Sequence, residues 1–304
     1  MSFSLQILGS SAAVPTKERK LSAHVLNVRE RLFLIDCGEA TQMQMRSYGV
    51  KFQRIQHVFI SHLHADHYLG LIGFLSTLNL LGREKTMYLY ADARLEGILQ
   101  QHFSVSDTVL RYPLVFHPLQ ENTSECLLDN ENLSVHSFPL KHRIPCWGFV
   151  FKEKAFPLNL DKKLLEKYDI PHEKMEEIKQ GKDYYTPEGI CIPNNKLVLA
   201  PKKAYSFAYC SDTAYDESII PYIKEVDLLM HEASFTKELQ RLAEEKMHST
   251  SLDAAKIALK AEVGKLILTH FSARYKDTSI ILQQAKEIFD NTILGEEGKI
   301  IRCR

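Results

Sequence analysis

Ser61-His62-Leu63-His64-Ala65-Asp66-His67 places four side chains of metal-ligand type within six residues. The run before it, His57-Val58-Phe59-Ile60, reads as a short buried strand. The run after it, Tyr68-Leu69-Gly70-Leu71-Ile72-Gly73-Phe74-Leu75, is apolar and reads as helix. The ligands are therefore expected on a strand-to-helix loop held at both ends. Imidazole and carboxylate together suit zinc and related divalent ions. A single histidine is usually a core or surface residue with no chemical duty. Four ligand-type side chains at this spacing are not explained that way.

The 304 residues suffice for a large core. Lys plus Arg equals Asp plus Glu, so the net charge is zero and a polyanion would have to be met by local basic patches. The six cysteines are scattered, with no Cys-x-x-Cys pair. That argues against a disulfide framework and fits a reducing cytoplasm. No signal peptide or membrane span is visible in the sequence.

Outward from the ligand loop, strands and helices alternate. Phe3 to Leu8 alternates as a strand and stops at Gly9-Ser10-Ser11. A polar loop follows, Pro15-Thr16-Lys17-Glu18-Arg19-Lys20. Ala23 to Val28 and Arg31 to Ile35 form a hairpin that runs into Asp36-Cys37-Gly38-Glu39-Ala40-Thr41-Gln42. Asp36 is either a partner of a metal ligand or a turn former. Further strands are expected at 87–91, 133–138, 146–151, 206–210, 226–230 and 265–268. Helices are expected near 68–81, 93–103, 252–259 and 279–289. The pattern is an α/β sandwich with its chemistry on loops at one sheet edge. Residues 152–195 differ in texture, with short charged helices punctuated by Pro and Gly and few residues able to feed a core. They read as an inserted flexible arm within a single domain spanning 1–304.

Asp66/His67, Asp212, His231 and His270 all follow apolar strands, and His142 lies between two. Loops at one sheet edge converge. Two metals a few ångströms apart need roughly seven protein ligands and a shared water. His62, His64, Asp66 and His67 supply four, and His142, Asp212 and His270 supply three more. Asp212 is the natural bridge, because a carboxylate has an oxygen for each ion.

His62-x-His64-x-Asp66-His67 with a distal His, Asp and His resembles the metallo-β-lactamase fold of dinuclear zinc hydrolases, an αβ/βα four-layer sandwich. The flanking motifs are similar to the tRNase Z (ribonuclease Z) family over nearly the whole chain. They are Pro15-x-Lys17-x-Arg19, Asp36 to Gln42, His231-Glu232-Ala233-Ser234-Phe235, His248-Ser249-Thr250 and Thr269-His270-Phe271-Ser272-Ala273-Arg274-Tyr275. The resemblance implies an endoribonuclease that removes 3′ trailers from precursor tRNA, with two Zn2+ per subunit, in a homodimer. It implies one ion on His62, His64, His142 and Asp212, and the other on Asp66, His67, Asp212 and His270. It implies His248 as the acid for the leaving oxygen, Glu232 as the group that holds its tautomer, and Asp66 as an aid in orienting water. His231 is expected in the same shell. The loop 15–19 matches the family element near the tRNA 3′ end. Lys17, Arg19, Arg143 and Arg274 are the expected phosphate contacts.

Two departures from the family pattern stand out. The arm has Ile170-Pro171-His172-Glu173-Lys174 where a Gly-Pro motif is usual, and Gly38-Glu39-Ala40 replaces a more usual Gly-Glu-Gly. Two other readings compete with the first. One is a dinuclear phosphodiesterase of the same fold acting on small or cyclic nucleotide esters. The other is a metal-binding RNA-interaction protein without turnover.

Overall fold

In the computed structural model, which describes residues 3–303, two seven-stranded sheets carry the architecture. The first runs, in spatial order, through strands Ile300–Arg302, Phe3–Gly9, Ala23–Val28, Arg31–Cys37, Ile55–Phe59, Met87–Ala91 and Leu114–Pro118. The second runs through Thr292–Leu294, Leu266–Thr269, Leu228–Glu232, Ser206–Cys210, Cys146–Glu153, Leu133–Leu140 and Glu125–Asp129. Each sheet is antiparallel in one part and parallel in another. Strands Arg31–Cys37 through Leu114–Pro118 pair in parallel, as do Ser206–Cys210 through Thr292–Leu294.

Side-chain alternation sorts these strands into layers. The inner faces meet in an aromatic core containing Phe33, Phe59, Trp147, Phe149, Phe151, Phe207 and Tyr209. Phe33 packs on Phe151 at 5.8 Å between ring centroids, and Phe59 on Phe149 at 5.3 Å. The outer face of the first sheet is covered by helices Thr41–Ser47, Gly70–Leu80 and Arg94–Val105. That of the second is covered by Ser251–Lys260 and Ser279–Lys286. The result is helix, sheet, sheet, helix, the four layers expected.

Several local outcomes differ from expectation. Asp66 and His67 lie not on a loop but in a one-turn helix, Ala65–Tyr68, which precedes Gly70–Leu80. The close approach of Gly38 to this region explains the offset. A Cβ at Gly70 would lie 2.0 Å from the Gly38 carbonyl oxygen, so the chain at 69–70 is pressed onto the 36–40 turn. Four strands of the two main sheets, Leu114–Pro118, Glu125–Asp129, Thr292–Leu294 and Ile300–Arg302, are not among those expected from the sequence pattern. The first two alternate only between half-buried and exposed positions, which blurs the period-two signal.

Residues 153–204 form a second unit. It contains helices Lys162–Lys167 and Met175–Lys179 and the strand pair Tyr184–Tyr185 and Cys191–Ile192. Leu165, Ile170, Ile178, Tyr184, Ile192 and Leu197 are buried together. A stretch that reads as poor in core residues thus makes a small core of its own. The apolar residues are spaced too irregularly to show a period.

Candidate metal centre

The parallel strands end at one edge, and there the predicted ligands meet. His62, His64, His142 and Asp212 form one group close enough to hold an ion, and Asp66, His67 and His270 form another. In the first, His64 Nδ1 lies 3.0 Å from His62 Nε2 and 3.2 Å from His142 Nε2. Asp212 Oδ2 lies 3.4 Å from His62 Nε2 and 3.8 Å from His142 Nε2. In the second, His67 Nε2 and His270 Nε2 are 3.2 Å apart, and Asp66 Oδ2 is 3.4 and 3.3 Å from them. Asp212 Oδ1 lies 3.2 Å from His270 Nε2 and 3.5 Å from His67 Nε2. One carboxylate therefore faces one group with each oxygen.

On His62, His67, His142 and His270 the remote ring nitrogen is already bonded. His67 Nδ1 donates to Asp36 Oδ2 at 2.8 Å, and His142 Nδ1 donates to the Met247 carbonyl at 2.9 Å. His270 Nδ1 meets Ser234 Oγ at 2.9 Å, and His62 Nδ1 meets Ser61 Oγ at 3.1 Å. Bonding at Nδ1 leaves Nε2 with its lone pair aimed into the basin, the arrangement of metal-ligating histidines. Asp36 itself is fully buried and accepts from Ser61 N, Ser61 Oγ and Tyr209 Oη as well.

The electrostatics ask for a cation. Asp36, Asp66, Asp212 and Glu232 are buried, and each of their ion pairs found among the described residues is with a histidine. Burial opposes charge on Asp212, yet His270 and His67 hold its carboxyl well below the usual range. Burial likewise opposes a proton on His67, but Asp66, Asp212 and Asp36 raise it well above an ordinary histidine. The carboxylates around His67 thus favour positive charge there, which a bound cation could supply in place of the proton. Asp212 Oδ1 is buried with no hydrogen-bond partner, a costly state unless an ion sits against it. Burial, then His67, pushes His62 to about 4, so it is neutral and ready to ligate. The donor set fits a pair of divalent cations.

Glu232 Oε1 accepts from His248 Nδ1 at 2.8 Å and from Thr213 N at 2.9 Å, and its other oxygen accepts from Ser234 N. His248 directly precedes Ser249 and Thr250. Thr250 caps helix Ser251–Lys260 in a reciprocal box with Asp253, worth about 1 kcal/mol. Ser249 Oγ donates to the Thr213 carbonyl at 2.7 Å. A rigid helix start therefore delivers His248 to Glu232. His248 also belongs to a third tight group with Asp212 and His270. Burial lowers its basicity, but Glu232 and Asp212 more than offset that and raise it to about 9.

His231 is not brought to the basin. Alternation along Leu228–Glu232 puts it with Leu229 on the helix-covered face, where its Nδ1 donates to the Glu232 carbonyl. Lys17, Arg143 and Arg274 are exposed. Arg274 lies over the Phe235 ring at 5.0 Å. Arg19 is committed elsewhere, because its Nη2 donates to the carbonyls of Tyr275 at 2.7 Å and Ser272 at 3.3 Å.

Strain gathers around this basin. Ala13, Asp36, Met247 and His270 all have left-handed backbone, φ 57, 55, 56 and 59°. Each costs about 1–3 kcal/mol and must be held by its surroundings. Each either contacts one of the grouped His and Asp side chains or belongs to a group itself. Ala13 N donates to Asp66, Asp36 accepts from His67, the Met247 carbonyl accepts from His142, and His270 faces the ions' place directly. Ala13 and Met247 act through main-chain atoms and left no sign in the sequence.

Residues 3–164, more than half of the chain, match the family model described as Anti-Pycsar protein Apyc1, which places them in that family. Relatives matched end to end are more specific. Ribonuclease Z of Phocaeicola vulgatus is 43% identical over 295 residues, 97% of this chain and 96% of that protein. Ribonuclease Z of Parabacteroides distasonis is 44% identical over 299 residues, 97% of each. The chain belongs to the ribonuclease Z family. The crystal structure of human tRNase Z, short form, superposes with a TM-score of 0.72 at 27% identity, covering 98% of both chains. The match to the Apyc1 model stops before Asp212, Glu232, His248 and His270, whereas the ribonuclease Z relatives extend across all of them.

Proposed function

We propose that this ribonuclease Z family member removes 3′ trailers from precursor tRNA by hydrolysing one phosphodiester, leaving a 3′-hydroxyl on the tRNA. The observation that carries the reading is the His248–Glu232 pair beside a basin for two cations, in a chain matched throughout by ribonuclease Z relatives.

The donor set of imidazole and carboxylate without sulfur supports two Zn2+ per subunit. His62, His64 and His142 would hold one ion, Asp66, His67 and His270 the other, and Asp212 would bridge. Bound there, the pair supplies Lewis acidity that activates water near neutral pH and neutralises phosphate charge. Asp66 would help orient the attacking water. His248, with Nδ1 tied to Glu232, keeps Nε2 as the site of the proton that the departing 3′ oxygen requires. Glu232 fixes the tautomer and favours the charged ring. Lys17, Arg143 and Arg274, all exposed, are read as the contacts for phosphates of the substrate. Residues 153–204 are read as the arm that grips the tRNA body. The length, shared with the human short form, supports a homodimer. Six unpaired cysteines support a cytoplasmic setting. No helix among the described residues is long and apolar enough to cross a membrane.

The test is cleavage of a trailer-bearing precursor tRNA by metal-replete protein, with end-group analysis of both products. Absence of trailer removal alongside hydrolysis of small or cyclic diesters would favour the phosphodiesterase reading instead. The Apyc1 match over residues 3–164 is the observation that keeps that second reading in play.

A further inference from the structure

Asp66 has a partner that no side chain supplies. Ala13 N–H, from an exposed loop 53 residues away in sequence, donates to its Oδ2 at 2.7 Å. That oxygen is the one facing His270 Nε2 and His67 Nε2. The loop that carries Ala13 is pinned at both ends. Ser10 N and Ser11 N donate to the Lys20 carbonyl at 3.0 and 2.8 Å. Glu297 Oε1 accepts from Lys20 N at 2.6 Å and Ser10 N at 3.3 Å. Thr16 N donates to the Arg19 carbonyl, and Arg19 N donates to Thr16 Oγ1. The Arg19 side chain then crosses to the carbonyls of Ser272 and Tyr275, in the loop that follows His270. Its Nε is buried without a partner, so this guanidinium is turned inward and not out toward a substrate phosphate.

We propose that residues 12–20 are a brace for the half of the basin formed by Asp66, His67 and His270. Arg19 is its positioning residue and the Ala13 amide its point of contact. The brace fixes two places at once: the Asp66 carboxylate through Ala13, and the 271–275 segment next to His270 through Arg19. Ala13 is left-handed, a conformation the chain would not keep unless the pins around it held. The other half, His62, His64 and His142, receives no contact from this loop among those described. Loosening the brace should therefore loosen one ion and spare the other. The inference rests on the metal reading above and assigns Arg19 to ion binding, where the bare sequence suggests RNA binding.

The test compares wild type, Arg19→Ala and Arg19→Lys. Zn2+ is titrated into metal-stripped protein against a chromophoric chelator, and turnover of bis(p-nitrophenyl) phosphate and of precursor tRNA is measured. Contacts behind a metal ligand are worth about 10–100-fold in affinity. The expected result for Arg19→Ala is one ion bound about tenfold or more weakly with the other unchanged. At limiting zinc, kcat for the small ester should fall while its KM stays. Arg19→Lys, which can still reach one carbonyl, should recover part of both. If Arg19→Ala binds both ions like wild type and only KM for tRNA rises, Arg19 is an RNA contact and the brace is wrong. Should Arg19→Ala melt below assay temperature, Arg19→Gln, which keeps one donor, is read by the same two outcomes. A wild type that binds no zinc would instead overturn the metal reading, and the brace with it.

Discussion

The Asp36 carboxylate sits directly behind His67, accepting its Nδ1 proton at 2.8 Å from a left-handed residue at the end of strand Arg31–Cys37. That bond turns the other nitrogen of His67, Nε2, toward His270 and Asp66. Asp36→Asn should keep the shape while weakening the anionic acceptor. Zinc affinity should drop about 10–100-fold, read by chelator competition. Undiminished affinity would show that the tautomer is set by something else.

Among the described residues, Asp212 is the only side chain to face both groups with separate oxygens. Asp212→Ala should cost both ions and all cleavage. Metal analysis by mass spectrometry is the check, and two zinc per chain in the variant would end the bridging role.

His248→Ala should retain both ions and lose about 10²–10⁴-fold in single-turnover cleavage. Retained metal is the informative half, because His248 also stands close enough to Asp212 and His270 to ligate. The pH profile refines this. Glu232 is the foremost group raising His248 against its burial, to about 9. An acid must be protonated, so the rate should fall as pH rises through the pKa of His248. Glu232→Gln removes that support and should move the alkaline limb to lower pH. A limb that stayed put would separate Glu232 from the proton.

Lys152 and Ser206 are paired neighbours on adjacent antiparallel strands. Residues 153–205 can therefore be replaced by an Asn-Gly turn without spanning a gap. The shortened chain should fold and hydrolyse bis(p-nitrophenyl) phosphate at wild-type rate. Its affinity for precursor tRNA should fall steeply, as measured by filter binding. Unchanged affinity would remove the arm from recognition.

Ala40 stands where the family usually has glycine, and its φ is 68°. Left-handed alanine costs about 1–2 kcal/mol, and glycine returns part of that as unfolded-chain entropy. Ala40→Gly should therefore stabilise by about 0.5 kcal/mol, a rise of roughly 1–2 °C in Tm. Calorimetry decides it.

The ligand loop and the strand ends carrying Asp212 and His270 were readable because buried strands are apolar runs and ligands are rare residue types in clusters. His231 misled, because following a strand says nothing about which face a residue takes; one step along the strand sends Glu232 to the basin and His231 to the helices. Arg19 is hard to place from sequence for a different reason. A basic residue in a polar loop looks solvated, and only the fold reveals the carbonyls of Ser272 and Tyr275 beside it. Amides and carbonyls, such as those of Ala13 and Met247, carry no residue signature at all. The core of residues 153–204 was hidden by short helices whose apolar positions never repeat enough to show a face.

The left-handed residues around the basin divide stability from activity in a way that a directed-evolution campaign would feel. A screen scored on melting temperature would be drawn to glycine at 13 and 247 just as at 40, since all three relax the same torsion. At 40 the gain would come free. At the other two the relaxed backbone would loosen the main-chain contacts to Asp66 and His142, so the hardiest clones would be the slowest nucleases.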